Sequence, residues 1–161
     1  MVLKPSKTLI LGLGNTILCD DGIGIYVARE IAKKLDIPNV SIHEASLGGL
    51  ELLEPMIGFD KVILIDAYKT QNGEIGSITR INAEDLQGGS AMARHQVPFH
   101  DALELGKRLR MQLPKEIIIY GIRVKDTMTF QESCTEEVQS QIPEIVQTII
   151  HHEFSNNDFK N

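Results

Sequence analysis

Three nearly unbroken aliphatic runs dominate the chain: TLILGLG (8–14), KVILIDA (61–67) and KEIIIYGI (115–122). Each is far shorter than the roughly 20 residues of a membrane span. Each is also too uniformly apolar for a strand with one wet face, so all three read as strands buried on both sides. A sheet of such strands needs helices above and below it. GIYVAREIAKKL (24–35) sets Ile25, Ala28, Ile31 and Ala32 at helical spacing, and Pro38 follows its end. Pro98 reads as the start of a helix reaching about Met111, with Asp101 and Glu104 suited to its positive end. A last helix is expected from about Thr135 to His151, kinked or broken at Pro143. VSIHEA (40–45) and, after the Asn72-Gly73 turn signal, EIGSITRI (74–81) read as two further strands. GGLELLEPMIG (48–58) reads as a short helix broken by Pro55 and Gly58, residues 83–97 as a loop, and 153–161 as a frayed polar tail. The expected fold is α/β, three-layer, a mostly parallel twisted sheet with helices on both faces, in a single domain over 1–161.

A chain of 161 residues can bury a sizeable core without disulfides or a structural metal, so a metal site here would serve function rather than folding. The net charge of -6 and the scattered Lys and Arg argue against nucleic acid and against a basic membrane-surface patch. Cys19 and Cys134 lie far apart with no CxxC, which reads as two free thiols in a reducing compartment. With no long apolar stretch, the expectation is a soluble cytoplasmic protein, with monomer as the plainest state.

Open α/β sheets bind ligands beyond the carboxyl ends of their strands. Three segments fall there: 14–24, 66–70 and the approach to Pro98. In GLGNTILCDDGIG (12–24), a dinucleotide fingerprint would need a third glycine where Ile17 stands, and the helix begins too late for a pyrophosphate. The adjacent Asp20 and Asp21 suit a helix start, but neighbours in an extended segment face opposite ways, so one can cap while the other enters the crevice. Asp66 ends an aliphatic strand, where burial without a partner is costly, so it either caps the following loop or faces the crevice. His95 lies in the loop before Pro98, a place where histidines are commonly just solvated. Two carboxylates and an imidazole suit a borderline cation such as Ni²⁺ or Zn²⁺ with open positions.

The other reactive side chains read more plainly. His43 belongs to a strand pattern, and His151 and His152 suit a helix carboxyl end. His100, in the first turn of its expected helix, is the rival to His95. Cys19 sits beside two acids that would raise its pKa, which favours packing over nucleophilic catalysis. No GxSxG elbow, HExxH helix or P-loop is present.

The segment GLGNTILCDDGIG resembles the amino-terminal signature of the hydrogenase maturation endopeptidases. The resemblance continues in order through GGLELLEPMIGFDKVILIDAY (48–68), RHQVPFHDALELG (94–106), IIIYGI (117–122) and CTEEV (134–138). It implies a twisted α/β sheet and an endopeptidase that removes a carboxyl-terminal peptide from the nickel-loaded large-subunit precursor of a nickel-iron hydrogenase. It also implies that Asp21, Asp66 and His95 are the metal ligands and the catalytic site, reading nickel carried by the substrate. Asp20 is then a candidate general base, with helix capping as its competing role. Two departures from the family pattern, EASLGG (44–49) and Arg123-Val124, bear on which hydrogenase class is recognised and not on the ligand positions. A metal-dependent checkpoint or chaperone that binds the precursor without cutting it is the alternative.

Overall fold

A computed structural model of the chain describes residues 5–46, 48–86 and 91–154, the stretch 91–98 by its backbone alone. The strands are β1 (Thr8–Leu13), β2 (Val40–Ala45), β3 (Lys61–Tyr68), β4 (Ile78–Asn82) and β5 (Glu116–Arg123). The helices are α1 (Ile23–Lys34), α2 (Ala91–Arg108), α3 (Glu136–Gln139) and α4 (Ile142–Phe154). One sheet runs in the order β2-β1-β3-β5-β4. All neighbours are parallel except β4, which closes one edge antiparallel to β5.

Pleating sends alternate residues to opposite faces, and the aliphatic runs supply both. Leu9, Leu11 and Leu64 pack with Leu53, Met56 and the α2 residues Phe99 and Leu103. Ile10, Ile63 and Ile118 pack on the other side with Ile23 and Ile31 of α1 and with Ile145 and Ile149 of α4. The result is the expected three layers. The strand order reverses between β1 and β3, and a crevice opens at such a switch point beyond the carboxyl ends of the strands.

Several boundaries differ from the sequence reading. Residues 48–58 form two 3-10 turns, Gly49–Leu52 and Glu54–Met56, instead of one helix. Helix α2 begins at Ala91, so the second half of the expected 83–97 loop is helical and Pro98 lies inside the helix. Proline is best placed at a helix start, because an interior proline removes one hydrogen bond and crowds the carbonyl four residues back, yet here the helical backbone continues through it. β4 starts at Ile78 because residues 74–77 form a turn, with Ser77 N–H donating to the Glu74 carbonyl and Gly76 at φ +84°. The last helix is two: α3 ends before Ile142, and Pro143 sits in the first turn of α4, where its missing N–H costs nothing. Glu153 and Phe154 belong to α4 rather than to a tail. The Glu153 side chain is buried between Lys61 and Arg80, each 2.8 Å away. Residues 155–161 lie outside the described residues. Among the described residues no helix is long and apolar enough to cross a membrane.

Candidate active site

The segment leaving β1 turns back tightly over the sheet. Gly14 adopts φ +138°, and a Cβ there would collide with the Asp21 carbonyl oxygen. A Cβ on Gly24 would collide with the Ile65 carbonyl oxygen, so α1 starts directly against β3. The glycines thus serve close backbone packing at the switch point. Residues 19–22 form a single 3-10 turn between them, carrying Asp20 and Asp21. β1 and β3 pair with Gly12 opposite Ile65, which sets Asp66 level with the end of β1.

That geometry brings two of the three predicted ligands together. Asp21 and Asp66 line one pocket of about 280 Å³ with Leu13, Gly14, Asn15 and Ser46. Asp21 Oδ2 accepts from the Asn15 backbone N–H at 3.0 Å. Burial pushes the Asp21 carboxyl above its ordinary pKa, and the Asn15 bond opposes that shift. Asp66 Oδ1 accepts from the Ala67 N–H at 2.8 Å. A partly desolvated carboxylate facing a second one is stabilised by a cation between them. His95 is the fifth residue of α2 rather than a loop residue. Its side chain lies outside the described residues.

Asp20 has a different role from both expectations. It is fully buried, and no side chain caps α1. Its Oδ2 accepts from the backbone N–H groups of Lys125 and Asp126 at 3.1 and 2.9 Å. Its Oδ1 accepts from the Thr135 N–H at 2.6 Å, and the Thr135 hydroxyl donates at 3.0 Å. A carboxylate so engaged and shielded has no lone pair to offer water, which removes Asp20 as a general base. It clamps the 125–135 loop onto the 3-10 turn. Sequence separation hid this role, because its donors lie more than a hundred residues away.

His100 lines a different cavity, with Asn82, Glu104 and Pro114, beside the start of β5. That is the opposite end of the sheet from the Asp21 and Asp66 pocket, so His100 falls away as a rival ligand. Cys19 and Cys134 are both buried. Burial raises the Cys19 thiol, with the Asp20 charge adding to the shift, and pushes Cys134 up to about 12. Neither is a nucleophile at neutral pH. His43 packs edge-on against Phe59, and His152 stacks near Tyr120. A larger cavity, about 590 Å³, lies between α1, β2 and α4. Four of its charged residues are paired with one another, Arg29 with Glu44 and Lys33 with Glu30, and neither Asp21 nor Asp66 lines it.

One residue stands out in the sequence only as a departure from the family pattern. Arg123 ends β5 opposite Tyr68 and is buried. Its Nε and Nη2 donate to the Thr70 carbonyl at 3.2 and 3.0 Å, which ties the chain leaving Asp66 to the neighbouring strand. A cation next to an aliphatic strand was the available signal; its acceptor, a main-chain carbonyl, carries no mark in sequence.

Fold and pocket together define a three-layer α/β protein with a polar pocket at the switch point, lined by Asp66 of β3 and by Asp21 of the turn before α1. A match to the hydrogenase maturation protease family spans residues 25–152, a stretch that contains Asp66 and His95 and begins just after Asp21. The chain is 26% identical over 142 residues to the hydrogenase expression/formation protein HupD of Bradyrhizobium diazoefficiens, covering 86% of this chain and 73% of that protein. It is 23% identical over 147 residues to the hydrogenase 2 maturation protease of Escherichia coli, covering 89% and 88%. The fold matches the hydrogenase maturating endopeptidase HybD from E. coli with a TM-score of 0.75 over 94% of each chain, at 20% identity. The chain belongs to the hydrogenase maturation protease family and is a protease.

Proposed function

We propose that this protease removes the carboxyl-terminal peptide from the nickel-loaded large-subunit precursor of a nickel-iron hydrogenase, with Asp21, Asp66 and His95 reading the nickel that the precursor carries. The observation that carries the reading is the convergence of Asp21 and Asp66 in one pocket at the β1/β3 switch point. The nickel is part of the substrate. Its protein ligands on the precursor leave open positions, which the two carboxylates and the imidazole fill. Anchoring the nickel fixes the tail and converts peptide hydrolysis from a bimolecular encounter into a positioned reaction. Water adds to the scissile carbonyl carbon and loses a proton, the C–N bond breaks, and that proton ends on the amine of the released peptide, leaving a new carboxyl terminus on the large subunit. On this reading the enzyme is a cytoplasmic monomer, acting where precursors are assembled.

Mass spectrometry of the large subunit tests this directly. Incubation with the protein should shorten the nickel-loaded precursor and leave the nickel-free precursor intact. An unshortened loaded precursor would sink the protease assignment for this substrate, and equal cleavage of both forms would sink nickel as the feature read. His95→Ala should abolish processing while the circular dichroism spectrum stays unchanged; full activity would remove His95 from the site.

A further inference from the structure

The clamp at Asp20 has a product that the nickel-reading pocket does not use. The 125–135 loop carries Met128 and Phe130, 77% and 83% exposed, and it faces a third exposed apolar residue, Ile17. Leu18 pairs with Gln131 in a parallel bridge, so Ile17 stands beside Phe130 on the same short ladder. The Gln131 N–H donates to the Ile17 carbonyl at 3.1 Å, and the Cys19 N–H donates to the Gln131 carbonyl at 2.9 Å. The loop is rigid by construction. Asp20 holds both of its ends. Asp126 Oδ1 accepts from the N–H groups of Met128 and Thr129 at 2.9 and 3.0 Å. The Gln131 side-chain amide donates to Ser133 Oγ at 2.9 Å.

A buried carboxylate and a web of hydrogen bonds therefore fix a loop whose exposed apolar side chains contribute nothing to the core. Ordered apolar residues facing water at the rim of a site mark a protein contact. The patch is also continuous with the pocket. The Ile17 N–H donates to the Asn15 side chain at 3.2 Å, and Asn15 lines the pocket with Asp21. Ile17 is two residues along the chain from the pocket-lining Asn15, so a protein whose tail reaches the pocket passes close to this patch.

We propose that Ile17, Met128 and Phe130 form the docking surface for the folded body of the large-subunit precursor, which selects the precursor by its surface while the pocket inspects its nickel. The proposal rests on the protease reading above and adds an apolar partner surface to it. It gives Asp20 and Asp21 complementary tasks, one holding the docking loop and one facing the metal.

Steady-state processing of nickel-loaded precursor separates the two ideas. Phe130→Ser and Met128→Ser should each raise KM, by roughly 10-fold or more for Phe130, with the loss carried by KM rather than kcat. Phe130→Leu should recover most of the affinity. An unchanged KM in both serine variants overturns the docking surface, and so does a fall in kcat alone. Wild-type protein that fails to process the precursor overturns the protease reading instead. In that case pull-down of the precursor by wild type, lost in Phe130→Ser, still supports the surface, and retention in the variant overturns it. Sedimentation of the protein alone covers a different occupant: a wild-type dimer that Phe130→Ser dissociates would assign the patch to self-association and overturn the proposal. Because both side chains face water, a drop in melting temperature is not expected; should Phe130→Ser unfold, Met128→Ser provides the same readout.

Discussion

The two sides of the 19–22 turn hold the same side chain in opposite circumstances. On the inner side Asp20 is fully buried and accepts from three main-chain N–H groups and a hydroxyl. On the outer side Asp21 faces a pocket with Asp66 and accepts one main-chain bond from Asn15. The inner acid has its charge dispersed over neutral donors and stabilises the fold. The outer acid is partly desolvated, and one main-chain hydrogen bond from Asn15 opposes the resulting rise in its pKa, so on the reading proposed above it is the acid that meets the nickel. The two acids differ in how completely they are engaged: Asp20 spends its oxygens on the 125–135 loop, whereas Asp21 lines a pocket.

The contrast is sharpest in activity. Asp21→Asn should lower kcat/KM for the nickel-loaded precursor by about 1000-fold or more, equivalent to ~4 kcal/mol, while the melting temperature stays level or rises. Substantial unfolding in this variant would erase the distinction. Asp20→Ala should do the reverse. It strands the N–H groups of Lys125, Asp126 and Thr135, and calorimetry should show a loss of about 3–5 kcal/mol in stability. An unaltered melting temperature would mean that the 125–135 loop does not need its clamp.

Glu153 offers a third kind of acid, buried but compensated by charge. Burial alone would raise its carboxyl, yet hydrogen bonds from Arg80, Lys61 and Tyr120 hold it down to about 2. The folded-state pKa thus lies below the unfolded value of about 4.3. Its stabilisation is complete above that unfolded value and drains away as pH falls toward 2, for about 3 kcal/mol in total. Urea titrations at pH 5 and pH 2.5 should reveal this step, and Glu153→Gln should remove most of it. The smallest effect belongs to the exposed Arg29–Glu44 pair at 2.7 Å. Glu44→Ala should cost about 0.5 kcal/mol or less by chemical denaturation, and a larger loss would show that solvent exposure is not what separates strong acids from weak ones in this fold.

Much of the fold is legible in the aliphatic runs. All five expected strands lie near their observed positions: the three aliphatic runs form the buried β1, β3 and β5, and the two mixed segments form the less buried edge strands β2 and β4. The sequence misleads where proline governs the reading. Pro98 reads as a helix start and lies within α2, whereas Pro143 reads as a kink and opens α4. Proline limits its own backbone and the residue before it; the neighbouring packing decides whether a helix continues through it. Glu153 reads as tail because its partners, on β3 and β4, are remote in sequence.

Periodicity and composition by themselves determined the layer architecture, and position beyond the carboxyl ends of the strands marked the 14–24 segment and Asp66 as crevice candidates. Those features depend on local pattern and on the strand ends where open sheets place their ligands. Only the tertiary structure showed which of two adjacent acids holds the 125–135 loop and which lines the pocket with Asp66. Asp20 and Asp21 differ in the donors that reach them, and those donors come from residues that the fold, not the sequence order, brings close.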